Sequence, residues 1–175
     1  MKASGVTVWL TGRPASGKTT LATSLDAALQ PLGYDTCRID GDELRQTVCR
    51  DLGFSREDRA ENVRRAGGRA FDAARAGKVA IVSLVSPYAA DRQRVREMHR
   101  DGGIRFVEVH VHCSLAVAEA RDPKGLYRLA RAGKLRGFTG VDDPYEAPRA
   151  PEVVLDTSTL SVDAETGVLL EYLIS

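Results

Sequence analysis

The sequence predicts an α/β fold, a parallel five-stranded sheet between two layers of helices with a lid segment over one edge. Three observations predict it: short apolar, β-branched runs alternate with stretches of helical periodicity, polar clusters follow the runs directly, and the first cluster is rich in glycine. Parallel strands need long crossovers, and helices fill them here. At 175 residues, 43% hydrophobic and 28% charged, the chain has the size and balance of one globular domain, expected to span residues 1–175. No internal repeat, low-complexity tract or linker divides it.

Val6 to Leu10 (VTVWL) reads as a buried strand running into Thr11, Gly12 and a Pro-Ala-Ser-Gly loop. A helix follows from Thr19, with Leu21, Leu25, Ala28, Leu29 and Leu32 recurring every three or four residues and Pro31 and Gly33 marking its exit. Thr36 to Ile39 is a second strand, ending at Asp40, and Val79 to Val85 a longer third, ending at Ser86-Pro87. Phe106 to Val111 and Val153 to Leu155 complete five. The longest helix runs from about Arg56 to Ala76, with others near Ala89 to Arg100, Leu115 to Arg121 and Val162 to Leu173. Right-handed crossovers point every strand's C-terminal end to one rim, where ligands of such sheets bind. Gly12 to Thr19, Asp40 to Asp42 and Ser86 to Tyr88 therefore converge. The stretch from Asp122 to Pro151 carries four glycines, four prolines and several cations, and reads as a mobile lid at about 122–151.

Composition excludes several function classes. Twenty-five basic against 24 acidic residues give a net charge of +1, too little to grip a long polyanion, so no nucleic acid is expected as partner. No run approaches the roughly 18–20 apolar residues of a membrane span, and Val6 to Leu10 is too short for a signal-peptide core, which predicts a cytoplasmic protein. Cys37, Cys49 and Cys113 are odd in number and widely spaced, which speaks against both disulfides and zinc.

Gly12-Arg13-Pro14-Ala15-Ser16-Gly17-Lys18-Thr19, continued by Thr20, fits G-x-x-x-x-G-K-[ST] between a strand and a helix. That context makes the fold a three-layer αβα P-loop NTPase. Backbone N–H groups of such a loop curl around phosphates at the positive end of the helix dipole. Lys18 should reach the β- and γ-phosphates of ATP, and the Thr19 hydroxyl should ligate Mg²⁺. The loop establishes nucleotide binding and leaves the reaction open.

Asp40-Gly41-Asp42 ends the second strand, where a carboxylate can hold metal-bound water or take a proton from an attacking hydroxyl. Asp42 also precedes a helical stretch and can be its N-cap; the two roles are compatible. Arg45, one turn on, can grip a phosphate or sulfate bidentately. Arg59, Arg64 and Arg65 lie among Glu57, Asp58 and Glu61, and a solvated helix laced with ion pairs accounts for most of these. Phe54 and Phe138 sit in polar segments, as local plugs or as stacking platforms for a flat base.

The segments GRPASGKTT, DGDELR, FSREDRAENVRR, SPYAADR, RDPKGLYRLARAGKLRGFTGVDDPYEAP and PEVVLDT follow one another from Thr7 to Thr157. In that order they resemble adenylylsulfate kinase, which phosphorylates the 3′-hydroxyl of adenosine 5′-phosphosulfate with ATP. The resemblance implies that Phe54 and Phe138 sandwich the acceptor adenine. It implies further that Arg45, Arg59 and Asn62 hold the acceptor's phosphosulfate and ribose, and that Lys124 is a lid cation near the transferred phosphate. Asp42 would bring acceptor hydroxyl and magnesium together, with Asp40 supporting it and lid arginines such as Arg128 or Arg131 adding charge. Ser86 matches a serine assigned in some members to a phosphoenzyme intermediate, although a strand-end serine before proline also has a plain turn explanation. A homodimer and an association with ATP sulfurylase are implied as well. Pro14 and Ala15 stand where the family usually carries Ser and Gly, Gly68 replaces a common acidic residue, and Ala89 an arginine. Two other readings are a P-loop kinase of another small alcohol, and a nucleotide-binding partner without turnover in a sulfate-activation complex.

Overall fold

Five parallel strands lie in one sheet: β1 (Val6–Thr11), β2 (Thr36–Asp40), β3 (Val79–Ser83), β4 (Arg105–His112) and β5 (Val153–Asp156), in the order β2-β3-β1-β4-β5. They belong to a computed structural model that describes residues 5–175. Every residue of β1 is buried, which is why its run is continuously apolar rather than alternating. The register sets Val6 beside Val79 on one side and Arg105 on the other, and Thr36 beside Val79, so the strand ends form a level rim.

Among the described residues the α-helices are α1 (Lys18–Leu29), α2 (Gly41–Gln46), α3 (Arg56–Arg75), α4 (Ala89–Asp101), α5 (Leu115–Arg121), α6 (Leu126–Arg131) and α7 (Val162–Ile174). Successive side chains of a strand point to opposite faces. Val6, Val8 and Leu10 accordingly pack with Leu21, Leu25 and Leu29 of α1 and Leu169 of α7, while Trp9 packs with Val63, Ala66 and Ala70 of α3 and Val95 of α4. A Cβ at Gly67 would stand 2.7 Å from the Val95 side chain, so glycine is what lets α3 and α4 approach. Serines cap the starts of α3, α5 and α7: Ser55 accepts from Asp58 N, Ser114 from Val117 N and Ser161 from Ala164 N.

Two expectations need correction. The third strand stops at Ser83 rather than Val85, because the chain turns away into Ser86, whose φ is +40°; the Thr11 hydroxyl holds the departing Val85 carbonyl at 2.7 Å. The short helices α2 and α6 offer too few turns for a periodic pattern. The lid segment is less irregular than its composition: it contains α6 and a turn in which the Asp142 carboxylate accepts from the N–H groups of Gly137 and Phe138, both at 2.7 Å. It also touches the body, where Arg59 of α3 donates to Thr139 Oγ1 at 2.8 Å.

Among the described residues no helix is long and apolar enough to cross a membrane.

Candidate active site

β1 delivers Gly12 to Thr19 to the middle of the rim. The Lys18 side chain is buried, and its ammonium donates to the carbonyls of Gly12 (2.9 Å) and Arg13 (2.8 Å) and to Ser16 Oγ (3.4 Å). Burial pulls its pKa down to about 8, against the opposing fields of Cys113, Asp40 and Asp42. Gly17 takes φ +102°, and a Cβ at Gly12 would fall 2.3 Å from the Val111 carbonyl oxygen, so both glycines are required by the turn. Ala15 also adopts a left-handed conformation, φ +64°, where a side chain is strained.

Asp40, not Asp42, is the N-cap of α2: its Oδ1 accepts from the N–H of Asp42 at 3.0 Å and of Glu43 at 3.4 Å. Its other oxygen accepts from the hydroxyls of Thr19 at 3.1 Å and Ser83 at 3.0 Å. Partial burial acts to raise its pKa, yet the bonds from Ser83, Thr19 and the two N–H groups outweigh burial and hold the carboxyl below its ordinary value. Asp42, the second residue of the helix and free of capping duty, forms an ion pair with Lys124.

The far end of the site is built on α3 and the lid. Phe54 is 66% exposed, its ring covered on one side by the Arg45 guanidinium at 4.3 Å. Arg45 itself donates to the carbonyls of Leu52 (3.2 Å) and Gly53 (2.5 Å), which leaves it partly occupied. Arg59 is nearly buried and spends its fork on the body of the protein: Nε on the Phe54 carbonyl (2.9 Å), Nη1 on Thr139 Oγ1 (2.8 Å), Nη2 on the Gly137 carbonyl, with Asp143 at 3.4 Å. It joins the Gly137–Thr139 stretch to α3 while lining the cleft. Asn62 is buried against the cleft, and its Oδ1 has no hydrogen-bond partner among the described residues. Phe138 meets Tyr127 edge-on, centroids 4.9 Å apart.

Ser86 is placed otherwise than a nucleophile requires. It is 2% exposed, its hydroxyl accepts from the Trp9 indole N–H at 3.1 Å and donates to the Leu84 carbonyl at 3.3 Å. The serine is a floor strut, and its neighbouring carbonyl receives Arg92 at 2.6 Å.

These groups line one cleft of about 1170 Å³ that takes in Pro14, Ala15, Gly17 to Thr20, Asp40, Asp42, Arg45, Phe54, Arg59, Asn62, Ser86, Lys124 and Phe138. Gly12, Arg13 and Ser16 stand behind its wall; the Arg13 guanidinium lies 5.5 Å from the Tyr145 ring centroid. Sequence reasoning missed four contributors. Thr157 Oγ1 donates to the Ser16 carbonyl at 2.8 Å, and Arg121 reaches Thr157 Oγ1 at 2.9 Å and the Thr157 carbonyl at 2.7 Å. Tyr127 donates to the Pro14 carbonyl at 2.8 Å, and Leu160 lines the end of the cleft beyond Thr157. Thr157 was readable in principle, since it follows β5 as Asp40 ends β2 at the same rim.

Charged groups, oxygen donors and aromatic faces thus meet in one groove. A family model described as adenylylsulphate kinase matches residues 4–156. An adenylyl-sulfate kinase from Saccharomyces cerevisiae is 46% identical over 174 residues, covering 99% of this chain and 86% of its own. The solved structure of the Mycobacterium tuberculosis APS kinase CysC in complex with AMPPNP and APS superposes with a TM-score of 0.96 at 41% identity, 99% of each chain being covered. A gluconokinase from Sinorhizobium meliloti, at 20% identity and a TM-score of 0.59 with 99% and 98% coverage, shares the fold alone.

Proposed function

The chain belongs to the adenylylsulphate kinase family, and we propose that it transfers the γ-phosphate of MgATP to the 3′-hydroxyl of adenosine 5′-phosphosulfate, releasing ADP and 3′-phosphoadenosine 5′-phosphosulfate. The observation that carries this reading is the continuous cleft from the phosphate loop to Phe54 and Phe138, with the unsatisfied Asn62 Oδ1 buried at its acceptor end. A buried acceptor atom without a donor is costly unless a ligand supplies one. A nucleoside hydroxyl or amino group is such a donor.

Phosphoryl transfer asks chiefly for alignment and for charge facing the loose transition state. Lys18 leaves the Gly12 and Arg13 carbonyls for the β- and γ-oxygens of the donor. Lys124 exchanges Asp42 for the transferred group, and the freed Asp42 carboxylate takes the proton of the attacking 3′-hydroxyl. Arg45, stacked on Phe54, offers its outer N–H groups to the phosphosulfate, and the two phenylalanines bracket the acceptor adenine. Ser86 supports the floor, so transfer is direct. Arg131 is paired with Glu119, and neither it nor Arg128 lines the cleft, so Lys124 and Arg136 supply the lid's charge there; the lid, at about 122–151, closes over one kinase domain and excludes water.

The residues fit a magnesium ion. Thr19 Oγ1 and Asp40 Oδ2 lie 3.1 Å apart, and Asp42 is two residues further on, a set of hard oxygen donors of the kind magnesium takes. Thr19 and Asp42, with Asp40 behind them, would hold the ion, which when bound neutralises phosphate charge.

The rival kinase of another small alcohol gives Phe54 and Phe138 no flat ring to face. A partner without turnover has no use for Lys18, Asp42 and Lys124 in one cleft. We further place the enzyme in the cytoplasm as a homodimer that associates with ATP sulfurylase, following the family resemblance.

The test is direct: incubate the purified chain with labelled ATP, Mg²⁺ and a panel of alcohols. Label is expected in adenosine 5′-phosphosulfate, and Lys18→Ala should cut transfer by at least about a hundredfold. Label in a sugar instead would overturn the reading.

A further inference from the structure

The phosphate loop of this chain has two handicaps: Pro14 has no N–H to offer, and Ala15 is held at φ +64° although it carries a Cβ. Something must hold a conformation the residues themselves disfavour. We propose that Tyr127 of the lid is the positioning residue that sets the phosphate loop, by fixing the Pro14–Ala15 peptide with its N–H toward the donor phosphates.

Tyr127 is 1% exposed, yet its hydroxyl emerges from the small apolar cluster of Cys113 and Ala118 to donate to the Pro14 carbonyl at 2.8 Å. The carbonyl and N–H of a trans peptide point in opposite directions. A carbonyl tied back to Tyr127 therefore turns the Ala15 N–H away from the cluster, toward the cleft that Pro14 and Ala15 line. The same arrangement recurs at Ser16, whose carbonyl is held by Thr157 and whose following N–H belongs to Gly17. Ala15 packs against the cluster around Tyr127, which leaves little room for the loop to relax while the ring is in place.

The tyrosine is itself fixed by the lid. The Asp122 carboxylate accepts from the N–H of Tyr127 at 3.0 Å and of Arg128 at 3.1 Å, holding the first turn of α6. The ring meets Phe138 edge-on, and a Cβ at Gly140 would lie 3.7 Å from the phenol oxygen. Burial raises the phenol pKa, so the hydroxyl stays a donor throughout the neutral range. Lys124, three residues earlier, reaches Asp42, so one short stretch of lid contacts both the donor loop and the acid. The donor loop is thus set when the lid is seated, and Ala15 makes that dependence strong: with Gly there, the loop would keep its shape unaided.

This inference rests on the proposed kinase reading only for its biological use; nucleotide binding tests it without any acceptor. Tyr127→Phe keeps the ring and deletes the hydroxyl. The variant should fold, melting within about 5 °C of the native chain, the effect of one lost hydrogen bond in a protein of this size. Its affinity for an ATP analogue with Mg²⁺, measured by calorimetry, should fall about tenfold. Adding Ala15→Gly to that variant should restore affinity to within about threefold of native, since glycine adopts the required φ at no steric cost. Unchanged analogue affinity in Tyr127→Phe overturns the proposal, as does a double variant no better than the single one. So does a Tyr127→Phe chain that fails to fold, which would make the hydroxyl a core-stability group. A chain that binds the analogue as described but phosphorylates a different alcohol sinks the proposed reaction and leaves this inference standing.

Discussion

A lysine sealed into its own loop carries a titration consequence. With a pKa drawn down to about 8, chiefly by burial, Lys18 is half deprotonated near that pH, whereas the donor phosphates demand the ammonium. MgATP affinity should therefore fall about tenfold for each pH unit above about 8, with proton uptake on binding; calorimetry in buffers of different ionisation enthalpy reads both, and affinity flat to about pH 9.5 would count against it. Lys18 and Thr19 were legible in the sequence because the chemistry and the spacing lie within eight consecutive residues. Ser86 and Arg59 were harder, because their partners come from afar: Trp9 fills the Ser86 hydroxyl, and Thr139 and Gly137 occupy the Arg59 fork. Asp40 and Asp42 were recognised as a pair, but which of them caps α2 depends on the exact first turn, which spacing alone leaves open.

Among the elements, the strands and the long helices were readable because each repeats its period several times, whereas six residues of α2 or α6 complete fewer than two turns. The lid was visible as a break in pattern, and its docking was not, since the contacts that seat it join residues as far apart as Pro14 and Tyr127. Arg59 is the clasp between α3 and the Gly137–Thr139 stretch. Arg59→Lys retains the charge but loses the planar fork, so the lid should open more often. Trypsin should then cut at Lys134 and Arg136 about tenfold faster, and the acceptor KM should rise; limited proteolysis with mass spectrometry, alongside acceptor titration, checks both. Unaltered cleavage would show that the clasp is dispensable.

At the scale of the whole molecule, stability depends on imidazoles kept neutral beside the sheet. His110 on β4 is 9% exposed, and burial, then the fields of His112, Arg92 and Arg13, push its pKa down to about 4; His99 is shifted the same way by burial. Between the unfolded value of 6.5 and about 4 the unfolded chain binds a proton that the native one refuses, so stability falls as pH falls through that window. For His110 the loss amounts to about 3 kcal/mol, or about 10 °C in melting midpoint. His110→Gln should make the acid slope visibly shallower in thermal melts from about pH 7 to 4, and an unchanged slope would remove His110 from the account. The sheet's parallel class was legible from alternation and the right-handed crossover rule, but not its strand order, which depends on pairings between distant segments. That order puts the phosphate loop after the middle strand, β1, with Asp40 ending the edge strand β2 on one side and Thr157 following the edge strand β5 on the other. The two edge strands, β2 and β5, thus each bring a residue, Asp40 and Thr157, to a single groove centred on β1.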